Sequence, residues 1–223
     1  MYLQIPVRPS RSDWDSEMKF FPDNIYHIYN QGNNYQDIFR CDEDYLIFLR
    51  MIRKHLQPHT EIIAWCLMNN HFHLMVYTDE RSCEMMKQGG LEIEKLTNGI
   101  RKLLSGYARI FNKRYNRMGS VFRQKTKAKN VVESDWVVKQ HYTLMDYCSR
   151  CFDYIHQNPV MAGLVKQQGE WIYSSYNDYA GIRNGTLCNK ELAAKYCGYD
   201  IINFSNRNNK PDNDFLSSFQ KDD

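Results

Sequence analysis

The chain has no run of about 18 apolar residues, so no segment reads as a membrane-spanning helix. Its start, MYLQIPVRPSRSDWDSE, lacks the basic segment and apolar core of a secretory signal. Cysteines number seven, and an odd set in a chain of this size is no secreted disulfide framework. Cys148-Ser149-Arg150-Cys151 has a metal-like interval but no second pair or nearby histidine, so helical thiols are the better reading. Gly-rich phosphate loops, H-E-x-x-H and G-x-S-x-G are all missing, which leaves nucleotide hydrolysis, zinc proteolysis and serine-hydrolase chemistry without support. No internal repeat is visible. These absences leave a soluble, cytoplasmic protein of 223 residues, one domain with appendages.

Charge is unevenly spread. The net charge is only +3, yet residues 101–132 hold ten basic residues and no acid. They are Arg101, Lys102, Arg109, Lys113, Arg114, Arg117, Arg123, Lys125, Lys127 and Lys129. The rest of the chain sets 19 basic against 26 acidic residues, so the positive charge is concentrated here. Such a stretch is the footprint of a polyanionic partner, and also of an ordinary solvated helix face. Tyr107, Phe111, Tyr115 and Phe122 are interleaved with the cations, which suits base stacking beside phosphate contacts. The spacing of Leu103, Leu104, Tyr107 and Phe111 equally fits the buried side of a helix.

Periodicity orders the elements. Residues 1–23 read as an irregular arm. A strand over 24–30 ends at the turn signal Gln31-Gly32-Asn33-Asn34. Residues 42–56 are helical by spacing, with acids in the first turn. Strands over 60–68 and 71–78 are separated only by Asn69-Asn70, which tolerates positive φ and predicts an antiparallel hairpin. A long helix from about 91 to 117 follows Gly89-Gly90, and 125–133 alternates as a fourth strand. Ser134-Asp135 can cap a last helix running to Asn158 before Pro159. The order β-α-β-β-α-β-α predicts an α+β, ferredoxin-like (split βαβ) fold: an antiparallel sheet with helices on one face and an added C-terminal tyrosine-bearing helix. Past 165 the composition changes, with an extension over 166–204 and a flexible tail over 205–223.

Two clusters carry chemistry. His71 and His73 lie two apart on a strand and so share a face, about 6.5–7 Å apart. They can share a metal ion, or be one packed and one exposed histidine. Tyr154 and Asn158 are one helical turn apart on one face. A phenol there can attack phosphorus, and the amide oxygen can join the histidines around Mg²⁺ or Mn²⁺. The bland alternative is that Tyr154 is one packing residue among 16 tyrosines.

Taken in order, several motifs resemble the single-tyrosine HUH transposases, in particular the REP-associated, insertion-sequence TnpA-like type. They are Tyr26-His27-Ile28-Tyr29-Asn30-Gln31-Gly32-Asn33-Asn34, Cys66-Leu67-Met68-Asn69-Asn70-His71-Phe72-His73-Leu74-Met75-Val76, and Gly119-Ser120-Val121-Phe122-Arg123-Gln124. Next come Tyr154-Ile155-His156-Gln157-Asn158-Pro159-Val160 with Ala162-Gly163-Leu164-Val165, and Trp171-Ile172-Tyr173-Ser174-Ser175-Tyr176. The resemblance implies a catalytic domain over 24–165, with His71, His73 and Asn158 as ligands of a divalent ion. It implies Tyr154 as the nucleophile that nicks single-stranded DNA, keeping a 5′-phosphotyrosine and freeing a 3′-OH. The implied partner is single-stranded DNA bearing a hairpin, often a palindromic repeat, with the ten basic residues tracking its backbone. A monomer and a helix-swapped homodimer both fit.

Two features depart from that pattern. Asn69 stands where the family usually has proline, and residues 139–146 look inserted before Tyr154. Tyr142 and Tyr147 share that segment, but Tyr154 alone has an amide one turn on and the Asn-Pro-Val context. The competing function is a non-catalytic, domesticated protein that binds structured single strands. Convergence of His71, His73, Asn158 and Tyr154 on one gap separates the two. His156, two residues after Tyr154, is expected to point away from Asn158, as a supporting or exposed residue.

Overall fold

Four strands form one antiparallel sheet: β1 (Asn24–Gln31), β2 (Glu61–Leu67), β3 (His71–Thr78) and the short β6 (Lys127–Asn130), in the order β2-β3-β1-β6. The computed structural model describes residues 18–131 and 144–200, with 202 and 204. The expected cap at Ser134-Asp135 and the 205–223 tail lie outside the described residues. With α1 (Asp42–His55) between β1 and β2, and the short α2 (Glu80–Cys83) and long α3 (Lys95–Arg114) between β3 and β6, this is the ferredoxin-like plan that the sequence predicts.

Alternation on the central strands sorts the side chains into two layers. Tyr26, Ile28, Phe72, Leu74 and Val76 face α1 and α3, where they meet Phe48, Ile52, Ile100, Leu103, Tyr107 and Phe111. Ile25, Met75, Ile63, Ala64 and Cys66 face the opposite way. That second face is covered by α4 (Leu144–Met161), through Tyr147, Cys148, Cys151, Phe152 and Ile155, and by α6 (Lys190–Cys197), which follows the short α5 (Tyr176–Tyr179). A bulge between Ile62 and Ala64 lets Ile63 and Ala64 both serve the second layer while Ile62 and Trp65 serve the first. The sheet is therefore buried on both sides, which is why β2 and β3 read as nearly continuous apolar runs.

Three local expectations need correction. The helix placed at 91 begins at Lys95, because Met85–Gln88 (β4) and Leu91–Glu94 (β5) pair as a separate hairpin. Gly89 and Gly90 adopt φ 58° and 83°, the two positive values a tight two-residue hairpin turn requires and glycine supplies at no steric cost. Helix α4 does not stop before Pro159 but runs through it to Met161. It closes with Leu164 N–H on the Pro159 carbonyl (3.0 Å), Gly163 N–H on Val160 (3.0 Å) and Gly163 at φ 69°. Finally, the β2–β3 hairpin forms at Asn69-Asn70, yet neither residue takes a left-handed backbone. Their carbonyls instead accept N–H from Ile38, Phe39 and Gly32, at 2.8, 3.0 and 2.7 Å.

Helix α3 crosses the end of α1 closely at Gly99, where an added Cβ would sit 2.3 Å from the His55 carbonyl oxygen. At Gly106 the corresponding neighbour is the flexible end of Met51, at 2.6 Å. Gly99→Ala is therefore expected to cost about 1–3 kcal/mol by overpacking. Gly106→Ala should be close to neutral, the helix propensity of alanine offsetting the shift of Met51. Urea midpoints of both variants check this, and equal midpoints would contradict it.

Candidate active site

The second face of β3 presents His71 and His73, with Phe72 turned into the first layer. Strand β1 lies beside it in the register Tyr29↔His73 and Gln31↔His71, so Tyr29 and His27 share that face. Helix α4 crosses above and supplies Tyr154 and Asn158, both buried. The ring centroids of His71 and His73 are 5.0 Å apart, edge to face. Tyr154 meets His73 edge to face at 5.6 Å and His27 at 6.1 Å. All four residues assigned to chemistry from the sequence thus come together.

Hydrogen bonds orient the rings. His27 Nε2 and His73 Nδ1 are 2.9 Å apart, with the two rings stacked. When His73 donates from Nδ1, its Nε2 carries a lone pair, and that buried atom has no partner. An unsatisfied buried nitrogen costs about 1–3 kcal/mol and calls for a ligand. His71 Nδ1 lies 2.6 Å from Asn70 Oδ1, and the Asn158 side chain hydrogen-bonds the same imidazole. Asn158 Nδ2 donates to the Tyr154 carbonyl at 2.9 Å, which anchors the amide beside His71. With its proton on Nδ1, His71 keeps a lone pair on the other ring nitrogen.

Burial keeps the imidazoles neutral. It brings His71 down to about 4, partly offset by Asn158, and holds His73 well below the usual range, with His71 and His27 adding to the effect. His27 falls to about 3, from burial first and from the nearby Lys129 second. Neutral histidines with free lone pairs, beside an amide oxygen, are a donor set fit for a divalent ion. Among the described residues no three His, Cys, Asp or Glu side chains are disposed to hold one; the further polar side chain beside His71 is the amide of Asn158.

The basic residues are split between the two layers. Lys127 and Lys129 pair with Tyr29 and His27 across β1–β6 and stand on the side of the site. Arg123 lies next to Tyr35 at the end of the sheet where β3 begins. Arg101, Lys102, Arg109 and Lys113 are on the exposed side of α3, which packs on the opposite face. Arg114 pairs with the buried Asp44 at 3.2 Å, and Arg117 covers Phe111. Lys125 is exposed ahead of β6.

Other expectations resolve plainly. His156 is not exposed: it is a core residue, 2.7 Å from Ser175 Oγ and enclosed by Phe152, Tyr179 and Phe204. Cys148 and Cys151 are buried thiols whose ionisation burial pushes upward. Tyr147 is packed in the second layer, and Tyr142 lies outside the described residues. No helix among the described residues is long and apolar enough to cross a membrane. Sequence reasoning missed His27 and Tyr29, whose alternation on β1 was the available signal.

No family model and no curated protein matches this chain. Among solved structures it is similar to a REP-associated tyrosine transposase. That structure is of the protein bound to a REP hairpin, and the match covers 78% of this chain and 92% of that one, at 15% identity and a TM-score of 0.49. So distant a likeness leaves the chemistry to be read from the side chains themselves.

His27 protonates near 6.5 in the unfolded chain but only near 3 when folded. Between those values the unfolded state binds the extra proton, so stability falls as the pH drops below about 6.5 and levels off near 3. His27 should account for about 2 kcal/mol of loss between pH 7.5 and 5. Urea midpoints at the two pH values should therefore diverge less in His27→Gln than in wild type.

Proposed function

We propose that this chain is a metal-dependent single-stranded DNA endonuclease and strand transferase of the single-tyrosine HUH kind, cutting beside a DNA hairpin. The observation that carries the reading is the meeting of two elements: α4 sets Tyr154 against His73 and Asn158 against His71. A non-catalytic binder has no need of a phenol packed edge to face on His73 with an amide beside His71.

In this reading Tyr154 attacks the phosphorus of a phosphodiester. A bond forms between the phenolic oxygen and phosphorus, the bond to the 3′-oxygen breaks, the phenol loses its proton and the 3′-oxygen gains one. The DNA keeps its 5′ end on the tyrosine. Attack by another 3′-OH reverses the exchange and joins strands, which a phenoxide permits because it leaves more readily than an alkoxide. His71, His73 and the Asn158 oxygen would hold Mg²⁺ or Mn²⁺, which when bound polarises the phosphate. His27 holds the His73 ring in the tautomer that leaves Nε2 available, and Asn70 does the same for His71. Lys127, Lys129 and Arg123, on the side of the site, supply the backbone contacts.

Tyr154→Phe should abolish the covalent adduct with labelled hairpin-bearing single-stranded DNA in Mn²⁺, while changing affinity less than about threefold. His73→Ala should also abolish it. Denaturing gels read the adduct and native gels the binding. An adduct that persists in Tyr154→Phe refutes this nucleophile. Tight, salt-sensitive wild-type binding with no adduct on any hairpin tried would establish the binder instead.

A further inference from the structure

The loop leaving β1 contains an aromatic residue where chain geometry favours none. Asn34 and Tyr35 lie at φ 55° and 57°, the left-handed region that asparagine tolerates and tyrosine seldom adopts. The Tyr35 ring is not buried in return: it is 60% exposed. Arg123 lies over it, with the guanidinium carbon 4.5 Å from the ring centroid. The loop is nevertheless held firmly. Tyr35 N–H bonds the Gly32 carbonyl at 3.0 Å, and Gln36 Nε2 donates to the Val121 carbonyl at 2.9 Å.

Its position is tied to the active site. Asn70 Nδ2 lies 3.4 Å from the Tyr35 carbonyl, while Oδ1 of the same side chain is 2.6 Å from His71 Nδ1. One amide therefore spans the loop and the imidazole.

We propose that Tyr35, backed by Arg123, is a stacking platform for one unpaired base of the single strand flanking the phosphate presented to Tyr154. The inference rests on the single-stranded DNA reading above. An exposed ring with a planar cation against it can stack a base of any identity, and the guanidinium can pair with the adjoining phosphate. Among the described residues the ring packs against Arg123 and is otherwise exposed.

The test uses hairpin-bearing single strands carrying 2-aminopurine at one flanking position at a time, titrated with the full chain. Wild type should quench fluorescence strongly at one position. Tyr35→Asn, which suits the left-handed backbone, should lose that quenching and bind about tenfold more weakly. Tyr35→Trp should restore both. An abasic residue at the same position should weaken wild type by a similar factor and the Asn variant by no more than about twofold. Wild-type quenching and affinity in Tyr35→Asn would overturn the platform while leaving the DNA reading intact. So would an abasic scan of wild type showing no sensitive position, whether or not the variant folds. Failure of wild type to bind any hairpin strand would overturn both.

Discussion

A sheet covered on both faces has no water to offer its polar side chains, and that constraint shapes the rest of this molecule. Strand β3 is hydrogen-bonded on both edges and packed above and below, so an imidazole on its second face must find partners from neighbouring elements or bear the cost of desolvation. His73 finds His27 on the adjacent strand, and His71 finds Asn70 in the turn and Asn158 on the helix. The geometry of the site is thus the solution to a burial problem. Among the described residues, Nε2 of His73 is one of the buried nitrogens it leaves without a hydrogen bond.

The same burial separates two electrostatic regimes. Inside, the histidines are held neutral and so present lone pairs rather than charge. On the rim stand cations, with Lys127 and Lys129 on the strand next to His27 and Tyr29. Half of the basic stretch belongs to another surface altogether, because α3 covers the first layer and turns its cations away from the imidazoles. A run of charge in sequence is not a patch in space when a helix and a strand share it.

What could be read from the sequence lay within single elements. Period two placed His71 and His73 on one face, and the one-turn interval placed Tyr154 with Asn158, since both relations depend only on local backbone geometry. The strand order followed from element order and the rules of compact α+β folds. Relations between elements distant in sequence were not legible. His27 became part of the site through the register of β1 on β3, 46 residues apart for the bonded pair, which nothing local specifies. The hairpin at Gly89-Gly90 was missed because Leu91, Ile93 and Leu96 resemble a helical opening when the backbone of the two glycines is unknown. Pro159 was misread for the opposite reason: a proline in a final turn is tolerated when the helix can close beyond it.

Tyr154 and Asn158 ride on one helix, joined by an amide-to-carbonyl bond of 2.9 Å, while both imidazoles belong to one strand. The site accordingly consists of two rigid halves and a single seam. Sliding α4 along the sheet moves the phenol and the amide by the same displacement relative to the histidines. The four side chains are therefore together or parted, with no arrangement in which the phenol is seated and the amide is not.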